Sequence, residues 1–585
     1  MKNYKLFKRL GTLVLTTVFF VLGSCEESLE IDVRDSFASD LVLSTPEQVE
    51  LLLFSTYNST DSWGVARRGF WGKRFGIEGA SFEARMNFNA STQGLDRFRL
   101  LPGWTAGNPG EFRFKWQDTW PFVRQANVFL ELVEGSPAQE LDPDRIEELK
   151  AEMRFLRANV YAKLIKYFGA VPILTTAATL DDNFDIPRNT YQECVDFIVS
   201  ELDVVIPLLP ETRPAGEFGR ATKLSAMAVK SRVLLYAASD LHDPAMAPQS
   251  SNLELYTYNS ANKWQNAADA AKDIIDMVGD RDLISVADAK AYQDLFLSVN
   301  QDILFARPFG GALFDFGTDT NSLPDKTQSP RGFDGWSLST PTHNYVLQYN
   351  MEDGTTTDDG TYDPSNPYEN REMRFYANIN YQGASFRGRE IDYSISVDNT
   401  VIADGLDSFS ADQQTKGNFR HGSTTGYAIR KFQNEALGDN LQQTTPGRPY
   451  ILYRLAEVYL NYAEAMYHIG DEATARTYVS RVSQRALQPA ITASGSDLLE
   501  AIKRERRVEL AFEGHNFFDE RRWMNEDHLG FDLRGISWSK DLTGTNSLTE
   551  FTIEQRPFDQ KQYYLPIPLT EIERTPAFIQ NEGYE

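Results

Sequence analysis

The chain has 585 residues, and 83 acidic side chains outweigh 58 basic ones to leave a net charge of −25. An excess of this sign, with no basic cluster to track phosphates, excludes a nucleic-acid partner. The 37 Phe, 26 Tyr and 9 Trp are enough to fill a large core and still leave aromatic rings on the surface, where they could stack against a ligand.

The first residues read as an export signal. Lys2, Lys5, Lys8 and Arg9 precede an apolar run over residues 13–22, which is short of the roughly 20 residues that span a bilayer. A basic start, a short apolar stretch and small residues at its end describe a cleaved leader. It closes on Leu22-Gly23-Ser24-Cys25, which resembles a lipoprotein signal with cleavage before Cys25 and lipid on the new terminus. Residues 1–24 are then expected to be the signal peptide and 25–44 a lipidated tether to a membrane. More than one acyl chain on Cys25 gives a stable anchor. The mature 561 residues carry 54 basic and 83 acidic groups, a net charge of −29. The acidic Glu26-Glu27-Ser28-Leu29-Glu30 stretch resembles the surface-export signal of Bacteroidetes lipoproteins. The only other cysteine, Cys194, lies on an apolar helical pattern with Ile198, so no disulfide within the chain is expected.

Helical periodicity dominates residues 45–299. Thr45-Pro46-Glu47-Gln48 reads as a helix start, with Thr as cap and Pro in the first turn; Val49, Leu52, Leu53 and Thr56 share the following face. A long helix is predicted over residues 145–168, with Leu149, Met153, Leu156, Val160, Leu164 and Tyr167 at core spacing and Gly169 and Pro172 ending it. Thr190 and Glu193 form a capping box ahead of Val195, Ile198, Leu202 and Val205. Residues 222–239 and 261–278 supply two more helices.

Over residues 300–448 Gly, Pro, Asp, Asn and Ser crowd together, and short alternating stretches such as residues 393–397 read as brief strands. A loop-rich region of this length in an ordered protein is usually functional. Helices return at residues 449–469, 472–486 and 497–513. The first carries Leu452, Leu455, Tyr459, Tyr462 and Met466 on one stripe and Arg454, Glu457, Asn461, Glu464 and His468 on another. Antiparallel helix pairs with Ala at close-approach positions suggest tetratricopeptide-like units.

The C-terminal third carries a resemblance. Residues 453–465, read as YRLAEVYLNYAEA, and residues 504–523, read as RERRVELAFEGHNFFDERRW, look like helices shared by the SusD/RagB family. The YYLPIP run at 563–568 and the QNEGY run at 580–584 are similar to its closing segments, although Glu582 stands where members often carry Pro. Residues 152–158, 167–173 and 426–431 match earlier family elements in order. Residues 370–374 depart from a family turn at Glu372 and Met373. The resemblance implies one mostly α domain over residues 45–585. Its tetratricopeptide-like helix-pair scaffold occupies 45–299 and 449–530. Residues 300–448 form a loop-rich, ligand-facing insertion with short strands, and residues 531–585 a C-terminal segment. It also implies a surface lipoprotein of the outer membrane that captures a glycan or oligosaccharide for a TonB-dependent, SusC-like transporter and catalyses nothing. A surface glycoside hydrolase and a peptide-binding variant of the same scaffold are the alternatives.

The residues offer little to catalysis. Arg506 and Glu513 share a face with Leu499, Ile502 and Leu510, so their charges should be buried and paired as a structural network. A glycosidase needs two carboxyls at a set separation, and abundance of Asp and Glu does not supply one. There is no G-x-S-x-G elbow. None of the six His falls in an H-E-x-x-H pattern. The four Asp between Asp353 and Asp363 lack EF-hand spacing. No cofactor or metal is therefore expected.

A sugar site needs aromatic platforms beside polar groups. Two stretches qualify. Asp61, Trp63, Arg67 and Trp71 follow the first helix. Asp334, Trp336 and Tyr345 lie in the insertion. The two Trp each have an Asp two residues before them and are the expected stacking platforms.

Overall fold

The computed structural model describes residues 45–61, 76–87, 104–133, 142–179, 181–248, 250–308, 323–398, 400–408, 422–437 and 448–584. The signal and Cys25 tether, and the candidate residues Trp63, Arg67 and Trp71, lie outside them.

Helix α1 (Pro46–Thr56) starts where expected. Thr45 is extended and its Oγ1 accepts the Gln48 N–H at 3.4 Å. It packs against α2 (Trp120–Leu132) and α3 (Pro143–Phe168). α3 begins two residues before the predicted start because Asp142 accepts the Asp144 N–H at 2.9 Å, and it ends at Gly169, whose φ of 71° favours glycine. The Thr190–Glu193 capping box opens α4 (Tyr191–Val205). Next come α5 (Lys223–Ala238) and α6 (Lys263–Val278), whose buried Ala267, Ala268, Ala270 and Ala271 let neighbouring backbones approach. Then α7 (Leu455–Ile469), α8 (Glu472–Arg485), α9 (Ser496–Glu509) and α10 (Asn516–Arg522) follow. From α2 to α8 each helix packs on the next, α6 on α7 included, although about 180 residues separate those two in sequence. The result is the stacked helix-pair scaffold.

One predicted helix begins late. Residues 450–454 are a strand, not the start of a helix over 449–469. Tyr450–Arg454 pairs antiparallel with Ile303–Arg307, and the helix starts at Leu455. Tyr450, Ile451 and Tyr453 are β-formers, and the partner that selects the strand lies far away in sequence. With the strands numbered in chain order, β1 (Ala84–Met86) pairs with β3 (Ser339–Pro341) and clips the insertion to an early segment, while β2 (Ile303–Arg307) holds β5 (Tyr450–Arg454). Beside β4 (Ile395–Ser396) stands a long hairpin, β6 (Phe531–Lys540) and β7 (Asn546–Arg556), with β6 at the centre of the sheet.

The insertion has its own core. Tyr345, Tyr349, Phe375, Ile379, Tyr427 and Ile429 pack with Val508, Phe512 and Ile536 from the C-terminal third. A smaller cluster gathers Phe333, Phe386, Ile391 and Tyr393.

Charges thread the interface between the two parts. Arg374 of the insertion binds Glu505 (2.6 Å) and Glu509 (3.1 Å) of α9, and Glu509 also receives Arg454 (2.6 Å) and Arg485. Glu513 accepts from Arg454 (2.6 Å) and Lys431 (2.7 Å). Arg506 pairs with Asp519 (2.8 Å) and donates to Asn461 (2.7 Å). Arg506 and Glu513 are thus both buried members of a network, as their shared face implied, but each has partners other than the other. The polar line of α7 is also interior: Glu457 meets Arg232 at 2.6 Å and Glu464 meets Arg522 at 2.7 Å. Buried ions persist only when paired in this way.

Among the described residues no group of His, Cys, Asp and Glu could hold a metal, and no helix is long and apolar enough to cross a membrane. The Asp353–Asp363 loop spends its carboxylates on its own backbone, Asp353 on Thr355 and Asp359 on Thr356. Cys194 is buried, its thiol donating to the Val171 carbonyl.

Candidate ligand-binding site

Asp61 closes the first helical segment. After α1 a single 3-10 turn (Tyr57–Ser59) runs into extended Thr60 and then Asp61. Its carboxylate accepts from Lys163 of α3 at 2.9 Å and from Lys115, on the short helix Arg113–Gln117, at 3.2 Å. Burial alone would raise its pKa; the ammonium groups of Lys115, Lys163 and Lys166 instead hold it well below the usual carboxylate range. Asp61 is therefore an ionised group fixed between two lysines.

It faces a chamber of about 100 Å³. Lys115, Lys166 and Arg232 line this space together with Asp61. Glu78 and Glu513 also contribute, and Tyr167, Phe512 and Phe518 supply rings. Pro324, Thr327 and Gln328 bring in the insertion. Of the two candidate stretches only Asp61 lines this chamber; the insertion reaches it through Pro324, Thr327 and Gln328, not through Asp334, Trp336 or Tyr345. Asp61 and Gly76 flank residues 62–75, and Pro324 lies just after 309–322.

The second stretch is a tight fold of chain beside the same wall. A short helix (Leu323–Gln328) and a 3-10 turn (Arg331–Phe333) lead to Asp334, held in the left-handed region at φ 60°. Lys326 fastens it, donating to the Asp334 carbonyl at 2.6 Å and pairing with its carboxylate at 2.7 Å. Asp334 is exposed. The Trp336 N–H donates to the Lys326 carbonyl at 2.9 Å, and the half-buried ring rests on the scaffold core with the Lys326 ammonium 5.8 Å from its centroid. The exposed Asp334 and the half-buried Trp336 are thus held in one turn by Lys326.

Tyr345 is a correction. It is 0% exposed, its hydroxyl donates to the Arg507 carbonyl at 2.6 Å, and its ring packs on Phe82, Tyr349 and Phe512. Loop-like composition around it concealed a core position, and no ligand can reach it. The neighbouring Asn344 ties the insertion to β6, accepting the Arg534 N–H at 2.8 Å.

Sequence reasoning did not single out Lys115, Lys163, Lys166, Arg232 or Glu78. The two α3 lysines sit three residues apart in the last turns of a helix, where cations usually complement the helix dipole. Only the fold turns them inward.

Comparison with known proteins places these features. Residues 303–584 match the model of the SusD family, and residues 83–235 match a SusD-like model described as starch-binding and associating with the outer membrane. The starch-binding protein SusD of Bacteroides thetaiotaomicron is 24% identical over 494 residues, covering 80% of this chain and 78% of its own length. SusD-like protein P25 of Formosa agariphila is 24% identical over 484 residues, 80% and 79% of the two chains. A SusD-like carbohydrate-binding protein from Bacteroides fragilis has the same fold at a TM-score of 0.71 and 24% identity, covering 91% of this chain and 99% of its own. The mostly helical scaffold, the insertion clipped to it and these family matches agree, and the chain belongs to the SusD/RagB family of outer-membrane-associated, non-catalytic binding proteins.

Proposed function

We propose that this protein captures a glycan or oligosaccharide at the cell surface and passes it to a TonB-dependent transporter of the outer membrane, held there by lipid on Cys25. The observation that carries this reading is a chamber lined both by Asp61, where the early loop begins, and by Pro324, Thr327 and Gln328 of the insertion. Asp61, Lys115 and Arg232 supply charge there, the buried Tyr167 and Phe518 rings form part of the wall, and Trp336 with Asp334 is tied to the Lys326–Gln328 segment beside it. A sugar presents an apolar C–H face and a rim of hydroxyls, so rings and fixed polar groups side by side are what it requires. Trp63, Arg67 and Trp71, in the stretch flanked by Asp61 and Gly76, complete the proposed site with Asp61, Asp334 and Trp336.

The test is a panel of soluble oligosaccharides titrated into the purified mature chain, with product analysis of the same mixtures. Saturable binding without turnover is expected. Trp63→Ala and Trp336→Ala should each weaken binding by more than about 1 kcal/mol, the scale of a binding anchor. Cleavage of any oligosaccharide, or full affinity in both variants, would overturn the reading. Cys25→Ala should leave a folded protein that no longer sediments with membranes; retention through a high-salt wash would reveal another anchor.

A further inference from the structure

Behind the first chamber lies a second, of about 60 Å³, which shares Asp61, Lys166, Arg232, Tyr236, Leu452 and Phe518 with it. Its walls come from α3, α5, α10 and the C-terminal segment. A water needs about 10–15 Å³ of such space, so several waters or one tetrahedral oxyanion fit.

The cations on its wall fall into two groups. Three are satisfied. Lys163 holds Asp61 at 2.9 Å, Arg232 makes a two-toothed pair with Glu457 (2.6 Å), and Arg522 binds Glu464 (2.7 Å) and Asp519 (2.8 Å). Two are not. Lys166 makes no hydrogen bond or ion pair among the described residues; its ammonium lies 4.2 Å from the centre of the Phe518 ring. Arg521 is 4% exposed and has no carboxylate partner among the described residues. It donates only to the carbonyls of Gln562 (3.0 Å) and Phe517 (2.7 Å), and its Nη2 is buried without any acceptor.

Two neutral donors stand on the same wall. The Tyr236 hydroxyl and the Asn159 amide make no hydrogen bond among the described residues, although both side chains are buried. Among the described residues the only carboxylate lining this chamber is Asp61, already shared by two lysines. A cation drawn out of water without a partner is costly, and here two such cations stand with two unused neutral donors. Burial in turn pushes the Lys166 ammonium down to about 7, with Asp61 the main charge opposing that shift.

We propose that the second chamber is an oxyanion site, in which Lys166, with Tyr236 and Asn159 as neutral donors and the Arg521 charge in the wall, binds a sulfate-, phosphate- or carboxylate-type group. The proposal does not depend on the glycan reading, because every residue in it belongs to the scaffold. The anion could be free and inorganic or a substituent on a larger ligand; a charge-assisted hydrogen bond from Lys166 serves either.

The mature chain should be titrated calorimetrically with sodium sulfate at constant ionic strength and pH 6.5. A saturable isotherm is expected, with a Kd of about 1 mM or tighter. Lys166→Met should weaken it by about tenfold or more, the effect of losing a charge-assisted bond. Tyr236→Phe, which keeps every charge, should weaken it by a few fold and serves if Lys166→Met does not fold. Galactose 6-sulfate and unsulfated galactose form the second arm. Tighter binding of the sulfated sugar than of sulfate marks a ligand substituent, and binding of sulfate alone marks a free anion. Absence of a saturable isotherm in the parent with both sulfate and galactose 6-sulfate, or unchanged affinity in the variants, would overturn the proposal.

Discussion

Glu509 is a fully buried charge and Lys166 a half-buried one in the same scaffold, and their surroundings are opposite. Glu509 is met by Arg374, Arg454 and Arg485, which bring its pKa far below the ordinary range against the upward push of burial. Lys166 has no ion-pair partner among the described residues, and burial draws it down to about 7. The first arrangement joins elements: Arg374 comes from the insertion, Arg454 from the end of β5 and Arg485 from α8. The second faces open space and joins nothing. A complete set of partners marks a structural joint, whereas an incomplete one beside a cavity marks a place for a ligand.

The comparison breaks most visibly at the joint. Glu509→Ala leaves three guanidinium groups without their shared anion. It should cost about 3–5 kcal/mol, read as a lowered denaturant midpoint, with affinity per folded molecule unchanged. Selective loss of binding at normal stability would move Glu509 out of the scaffold.

Glu83 sharpens the contrast. It is 1% exposed; its Oε1 accepts the Phe512 N–H at 2.8 Å while Oε2 has no partner, and burial pushes its pKa up to about 8. The folded state keeps a proton that the unfolded chain loses near pH 4.5. Its contribution therefore falls as pH rises from about 4.5 and is lost above about 8. Glu83→Gln, which imitates the protonated form, should flatten this slope and gain about 2 kcal/mol over the parent above pH 8. An unchanged slope of stability against pH would show that Glu83 is ionised and paired.

The smallest effect belongs to Lys166. Its folded pKa lies below the unfolded value, so the penalty for charging it is fully present below pH 7 and fades toward pH 10. Lys166→Met, measured without added oxyanions, should stabilise the protein by about 1 kcal/mol below pH 7 and by less as the pH rises. Loss of stability at pH 6 would place Lys166 among the structural charges, alongside Arg232.

Local chemistry carried much of the scaffold into the sequence. Thr45, Thr190 with Glu193, and Gly169 mark helix ends because capping and left-handed backbone depend on residues within a turn of one another. The site was legible only in part. Composition drew attention to Asp61 and Asp334, and the same signal misplaced Tyr345, because a core ring inside a Gly- and Asn-rich segment looks like an exposed one. Lys163 and Lys166 carried no signal at all, since what surrounds a helix face is not written beside it.

The sequence by itself determined the helical scaffold, the character of the insertion and the family, since periodicity, caps and motif runs are short-range properties of the chain. Tertiary structure alone decided that Tyr450–Arg454 is a strand against Ile303–Arg307, that Arg506 pairs with Asp519 instead of Glu513, and that Asp61 and the segment at 324–328 share one chamber. Each of these depends on which distant surfaces meet, and that is settled by packing of whole elements, whose partners no local pattern names.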